Sequence, residues 1–174
     1  MVKRIFKYLL SAICACIFIS FIILFIAIPF RADTNRLAPI IQKDERFIVN
    51  QLAPRLNNIN YHDFIVYRKN GTLQVGRVIG EPGQSLAIQK SELYIDNQRV
   101  QDPFIKDLGV TSWSSKMLSE QESDIIAPGH YIVMNQFTRT TTAEPFGTVD
   151  KNDIIGTILL RYYPFEKITA NFED

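Results

Sequence analysis

The pair Asn70-Gly71 stands between two β-rich runs, Asp63-Phe64-Ile65-Val66-Tyr67-Arg68-Lys69 and Thr72-Leu73-Gln74-Val75-Gly76-Arg77-Val78-Ile79. Both central residues of a two-residue hairpin loop adopt positive φ, which Asn and Gly accept and most residues resist, so this stretch has little choice but an antiparallel hairpin. Such a loop pairs Lys69 with Thr72 and Ile65 with Gly76. Side-chain alternation then predicts a core face carrying Phe64, Val66, Leu73, Val75 and Ile79, with Gly76 on the other face.

Short β-rich runs separated by turn residues continue on both sides. Arg46–Asn50 reads as an earlier strand and Pro54 to Asn60 as a loop. After the turn Gly80-Glu81-Pro82-Gly83 come strands at Ser85 to Gln89 and Glu92 to Ile95, then a turn at Asp96-Asn97-Gln98 toward Arg99-Val100. Residues 101–123 lose the pattern and read as an irregular inserted excursion, with Ser112 to Leu118 as a candidate helix start. Strands at His130 to Asn135 and Asp153 to Tyr163 follow, separated by a Thr-rich loop over Thr138 to Thr142. Short strands with little helical periodicity predict an all-β or β-rich domain.

The N-terminal part is of another kind. Tyr8 to Phe30 contains no charged residue. At about 1.5 Å per residue, roughly 20 apolar residues cross about 30 Å of hydrocarbon, so 8–30 is expected to be a transmembrane anchor. A cleaved signal has a shorter apolar core of about 7–15 residues and a small-x-small site, and Ala27-Ile28-Pro29-Phe30-Arg31 offers none. Lys3, Arg4 and Lys7 predict residues 1–7 in the cytoplasm and 31–174 as an exported domain. Cys14 and Cys16 both lie in the anchor, two residues apart on a helix, where they cannot pair, so the exported part has no disulfide framework. A net charge of +1 gives no sign of a nucleic-acid surface.

The N-terminal anchor, the strand-turn Arg77-Val78-Ile79-Gly80-Glu81-Pro82-Gly83-Gln84 and the closing Ile154-Ile155-Gly156 with Arg161-Tyr162-Tyr163-Pro164-Phe165 together resemble the type I signal peptidases, peptidase family S26. His62-Asp63-Phe64-Ile65-Val66 and Phe146-Gly147 are similar to further family segments. The resemblance implies two antiparallel sheets with a small inserted subdomain. It also implies a peptidase that removes signal peptides with a serine nucleophile and a lysine general base, and here both positions are changed. The family's Ser-Met-x-Pro-Thr-Leu aligns with Arg36-Leu37-Ala38-Pro39-Ile40-Ile41, placing Arg36 at the nucleophile, and the lysine before Arg-Val-Ile-Gly aligns with Gly76. The family's last box aligns with Met134 to Glu144, which has kept little of it.

These replacements remove the chemistry. Deprotonating a lysine of pKa about 10.4 at pH 7 costs about 4–5 kcal/mol, so such a site must bury its lysine to make a base for the serine hydroxyl. Glycine accepts no proton, and arginine stays charged and is no nucleophile. Lys69 stands four residues beyond Ile65, the partner of Gly76, about 14 Å away at about 3.4 Å per residue, and reads as a solvated hairpin-tip charge. Asn35 is no nucleophile, and Thr34 without a base is an unactivated alcohol. His62 and His130 lack ligand-spaced partners and read as turn or strand-end residues, and Asp44-Glu45 as solvated loop charges.

The chain thus resembles the inactive paralogues of this family in Gram-positive bacteria. No metal or cofactor is expected. A vestigial peptide groove is expected at Leu37, Pro39, Gln74 and Arg77, with signal peptides or an active signal peptidase as partners beside the membrane. The competing reading is an active peptidase with a relocated nucleophile, Thr34 or an unplaced serine, and a third is a vestigial protein without a dedicated function.

Overall fold

The hairpin forms in the predicted register. A computed structural model describes residues 2–118, 124–137 and 144–172, without side chains at 2–4 and 22–25. Its elements in chain order are α1 (Val2–Phe25), β1 (Ala27–Arg31), β2 (Arg46–Asn50), α2 (Leu52–Arg55), β3 (Phe64–Lys69), β4 (Thr72–Gly80), β5 (Leu86–Gln89), β6 (Glu92–Ile95) and β7 (Gln98–Val100). Then follow α3 (Pro103–Asp107), β8 (Ser112–Ser114), β9 (His130–Met134), β10 (Phe146–Asp150) and β11 (Ile154–Tyr163). In the β3–β4 hairpin Lys69 pairs with Thr72 and Ile65 with Gly76. Asn70 and Gly71 both have positive φ, 51° and 77°.

Two antiparallel sheets result. The larger has the strand order β1-β2-β11-β3-β4-β9-β10 and the smaller β7-β6-β5-β8. The smaller is built from residues between β4 and β9, which makes it the inserted subdomain. One face of the central strands, with Phe64, Val66, Ile79, Ile132 and Met134, joins Leu86, Ile88, Leu93 and Trp113 of the small sheet in the main core. The opposite face carries a second core of Ile59, Ile65, Tyr67, Val78, Tyr131, Val133, Val149 and Ile154. The expectation of a single core face is corrected here, because Phe64-Ile65-Val66-Tyr67 is apolar on both sides and both sides are covered. Leu73, expected in the core, lies near the hairpin tip and is 39% exposed. Burying an aliphatic or aromatic side chain contributes about 1.5–3 kcal/mol. A one-residue slip would exchange the two cores' side chains, so the packing reinforces the register that the turn selects.

Several local expectations change. Ala27–Phe30, placed at the end of the anchor, belongs to β1, with Ala27 opposite Asn50 and Arg31 opposite Arg46. Pro29 has no N–H to continue a helix, and an edge strand accommodates it. Helix α1 covers much of the expected anchor, but among the described residues no helix is long and apolar enough to cross a membrane. The excursion at 101–123 is more regular than its sequence suggests. Asp102 caps α3 by accepting from Phe104 and Ile105 N–H, with Pro103 at the first turn, and of the candidate helix Ser112 to Leu118 the first part, Ser112–Ser114, is a strand on β5, while Ser115–Met117 forms one short 3-10 turn. The expected loop at Pro54 to Asn60 begins inside the one-turn α2. The Thr-rich loop at Thr138 to Thr142 lies outside the described residues.

Candidate functional site

The segment carrying Arg36 is fastened to the sheet from several directions. Ala32 N–H donates to Glu45 O at 2.9 Å, Asp44 N–H to Ala32 O at 2.8 Å, and Phe137 N–H, just after β9, to Arg36 O at 2.9 Å. Leu37, Ile40 and Ile41 enter the main core. Asp44 and Glu45, expected as a solvated pair, behave differently. Exposed Asp44 pairs with Arg31 at 2.7 Å, and that hydrogen bond lowers its pKa. Glu45 is buried and accepts from Arg161 Nη1 at 3.2 Å and from Gln42 N–H at 3.0 Å. Arg161 Nη1 also donates to Ile40 O at 2.8 Å. A buried carboxylate needs such partners, and here they lock the loop that presents Arg36.

Strand β4 supplies the opposite wall. Asp33, Thr34 and Arg36 of the loop, Thr72 to Val75 of β4 and Asn135 after β9 enclose a cavity of about 220 Å³. The nucleophile position and the residues just before Gly76 therefore meet in space, although they lie far apart in sequence. Gly76 itself turns toward the second core. A Cβ built on it would stand 3.1 Å from Val133 Cβ and 3.2 Å from Tyr67 Cε1. The Tyr67 hydroxyl donates to Gln74 Oε1 at 3.3 Å. Burial pushes the Tyr67 phenol above its ordinary range, and the Arg36 guanidinium opposes that push, so the charge of Arg36 acts on the same patch as Gly76.

The other expected residues divide. Gln74 lines the cavity beside Arg36. Leu37, 3% exposed, is a core residue, and Arg77, 4% exposed, is closed off from any ligand. Pro39 is exposed and follows a cis peptide bond, and it is not among the residues lining the cavity. Arg77 pairs with Asp102 at 2.6 Å, Tyr61 Oη donates to the same carboxylate at 2.9 Å, and the guanidinium lies over the Phe104 ring at 4.9 Å. This buried cluster ties β4 to α3. Burial, reinforced by the Asp102 charge, raises the Tyr61 pKa. Lys69 is exposed but does not simply project from the hairpin tip. Its Nζ lies 3.8 Å from the Cβ position of Gly147 on β10, as does Asn135 Nδ2. It is not one of the groups crowding Gly76.

No displaced dyad emerges among the described residues. Thr34 faces the cavity, whose lining includes the carboxylate of Asp33 but no amine or imidazole. Asn35 Oδ1 accepts from Lys43 N–H at 2.7 Å and organises the loop. His62 sits in a turn with φ 77°, its Nε2 3.8 Å from Asp102, and His130 opens β9 with Nε2 3.7 Å from Asp150. Among the described residues no group of His, Cys, Asp and Glu could hold a metal ion. The sequence reading missed Asp33, Asn135 and Asp102. Only Asp102 had a local signal, an Asp-Pro pair suited to starting a helix.

Two sheets with an inserted subdomain, and a polar cavity that brings together position 36 and residues 72–75 just before Gly76, define the frame of a serine peptidase whose reactive groups have been replaced. The chain belongs to the signal peptidase family: residues 5–163 match the family described as signal peptidase, peptidase S26. It is 35% identical to the inactive signal peptidase IA of Staphylococcus aureus strain COL over 173 residues, 99% of each chain. It is 30% identical to signal peptidase I U of Bacillus subtilis strain 168 over 142 residues, 79% of this chain and 76% of that one. A solved signal peptidase I from Enterococcus faecalis V583 superposes with a TM-score of 0.47 at 20% identity, covering 57% of this chain and 95% of the other.

Proposed function

We propose that this chain is a catalytically inactive signal peptidase homologue that works at the membrane as an accessory or peptide-binding partner in signal-peptide processing. The observation that carries the reading is the pairing of Arg36 with Gly76. The nucleophile position holds a permanent cation, and the space into which a side chain at 76 would grow already holds Val133 and Tyr67. The full-length similarity to a relative named as inactive supports it. Its partners are signal peptides of exported proteins or an active signal peptidase.

The chain is held at the plasma membrane of a Gram-positive cell by the part of α1 from Tyr8 onward, with its N-terminus cytoplasmic and the β domain outside. The uncharged run Tyr8 to Phe30 supports this. So does the exposure of Leu9, Leu10, Ile13, Ile17, Phe18 and Phe21 on α1, since a helix apolar all round needs lipid or protein about it. Alkaline extraction of membranes and protease protection of the C-terminal domain test the anchor and its orientation, and release of the chain by carbonate would refute it.

Purified wild type should leave a signal-peptide substrate uncut. Cleavage abolished by Thr34→Val would replace this reading with a relocated nucleophile. Repeated failure to co-purify with an active peptidase or to bind signal peptides would remove the accessory role.

A further inference from the structure

The cavity at Arg36 is well furnished with donors. Arg36 contributes a guanidinium, Gln74 and Asn135 contribute amides, and Thr34 and Thr72 contribute hydroxyls. The Tyr67 hydroxyl occupies Gln74 Oε1, leaving the amide's two N–H groups for other partners. Lys69 Nζ and Asn135 Nδ2 each lie 3.8 Å from the Cβ position of Gly147. Among the described residues neither Arg36 nor Lys69 is in an ion pair. Asp33 is the single carboxylate lining the cavity. About 220 Å³ is smaller than a typical small-molecule pocket of about 300–1,000 Å³, so the space suits one small group at the end of a longer ligand.

We infer that this cavity binds the free C-terminal carboxylate of a cleaved peptide, with Arg36 as its principal cation and Gln74 and Asn135 as supporting donors. Guanidinium matches a carboxylate with two parallel hydrogen bonds, a geometry a neutral amide end cannot use equally. Position also favours this ligand. Where a serine would attack a peptide carbonyl, the attacked carbon becomes a carboxylate once the bond is hydrolysed. A peptide lying in the same place before cleavage presents a neutral carbonyl to Arg36, and after cleavage it presents an anion. Replacing the nucleophile by arginine converts a site for uncut peptides into one selective for the cut product. The inference rests on the proposed peptide-binding role and assigns the end of the peptide that is read.

The test uses the full-length protein in detergent and fluorescence anisotropy of N-terminally labelled peptides ending in Ala-Leu-Ala. One peptide has a free C-terminal carboxylate, a second a C-terminal amide, and a third is an amide whose last residue is Asp. The free acid should bind at least tenfold more tightly than the amide, and rising salt should narrow the gap. Arg36→Gln, at an exposed position, should abolish the difference between acid and amide. Equal binding of acid and amide, or of acid and Asp-amide, overturns the terminal-carboxylate assignment while the accessory role survives. Binding by none of the three removes the accessory role, and the assignment with it.

Discussion

Gly76→Ala is the smallest perturbation that interrogates the emptied base position. On an ordinary strand it should help, because alanine loses about 0.5–1 kcal/mol less backbone entropy than glycine on folding. Here the new Cβ would meet Val133 Cβ at 3.1 Å and Tyr67 Cε1 at 3.2 Å, tighter than ordinary van der Waals contact. Neither neighbour yields readily, since both are buried in the second core on central strands. Overpacking of this kind costs about 1–3 kcal/mol, so the clash outweighs the entropy gain and the variant should lose about 0.5–2 kcal/mol. Val133→Ala removes Val133 Cγ2, 3.2 Å from the new Cβ, but keeps Val133 Cβ at 3.1 Å, and it leaves a cavity with its own cost. The coupling between the two changes measures the share of the clash that Cγ2 carries, expected to be favourable by about 0.5–1 kcal/mol. Denaturant unfolding of the four proteins in detergent, followed by the single Trp113, measures it. A Gly76→Ala protein as stable as wild type would refute the claim that the base position has been filled by the core.

Other substitutions report on the rest of the frame. Asp102→Ala should destabilise by about 3–5 kcal/mol, because it strands the buried Arg77 and uncaps α3, and unfolding midpoints would show it. Gly156→Ala should prevent folding, since its Cβ would collide with Asn50 O of the neighbouring strand, and the yield of folded protein in detergent is the readout. The double variant Arg36→Ser/Gly76→Lys should remain inactive against a signal-peptide substrate, because the lysine must grow from a Cβ already crowded by Val133 and Tyr67, and cleavage by it would contradict that crowding. Tyr61, Tyr67 and Tyr131 all have pKa values raised above 10 in the folded state, chiefly by burial. Above about pH 10 the unfolded chain therefore loses protons that the folded one keeps. Stability should fall with rising pH there, by up to about 1.4 kcal/mol per unit for each tyrosine still protonated. Unfolding at pH 9, 10 and 11 checks the sign, and rising stability over that range would contradict it.

Sequence reading reached the local turns and the paired strands because each is set by neighbours in the chain. Asn70-Gly71 selects one turn geometry, and the register of β3 on β4 follows by counting from it. It missed β10, whose Phe146-Gly147-Thr148-Val149-Asp150 has weak strand character and exists through pairing with β9. It also missed the regularity of 101–123, where β8 depends on β5 for its partner. At the site, of the residues expected in one groove, Gln74 lines a cavity with Arg36, whereas Leu37 is core and Arg77 a buried strut. Alternation along a strand says which residues share a face, but not whether that face is open or covered.

The sequence alone determined that a hairpin ends at Asn70-Gly71, that the chain carries a signal-peptidase fingerprint, and that positions 36 and 76 hold arginine and glycine. Those are properties of residue types and short spacings. Tertiary structure decided what the replacements mean. It closed both faces of β3 and β4, turned Gly76 onto Val133 and Tyr67, buried Arg77 against Asp102, and set Arg36 at a polar cavity with Gln74 and Asn135. Such contacts join segments from 33 to 135, and which segments meet depends on how two sheets bury their apolar faces together, a balance of packing that no local run of residues encodes.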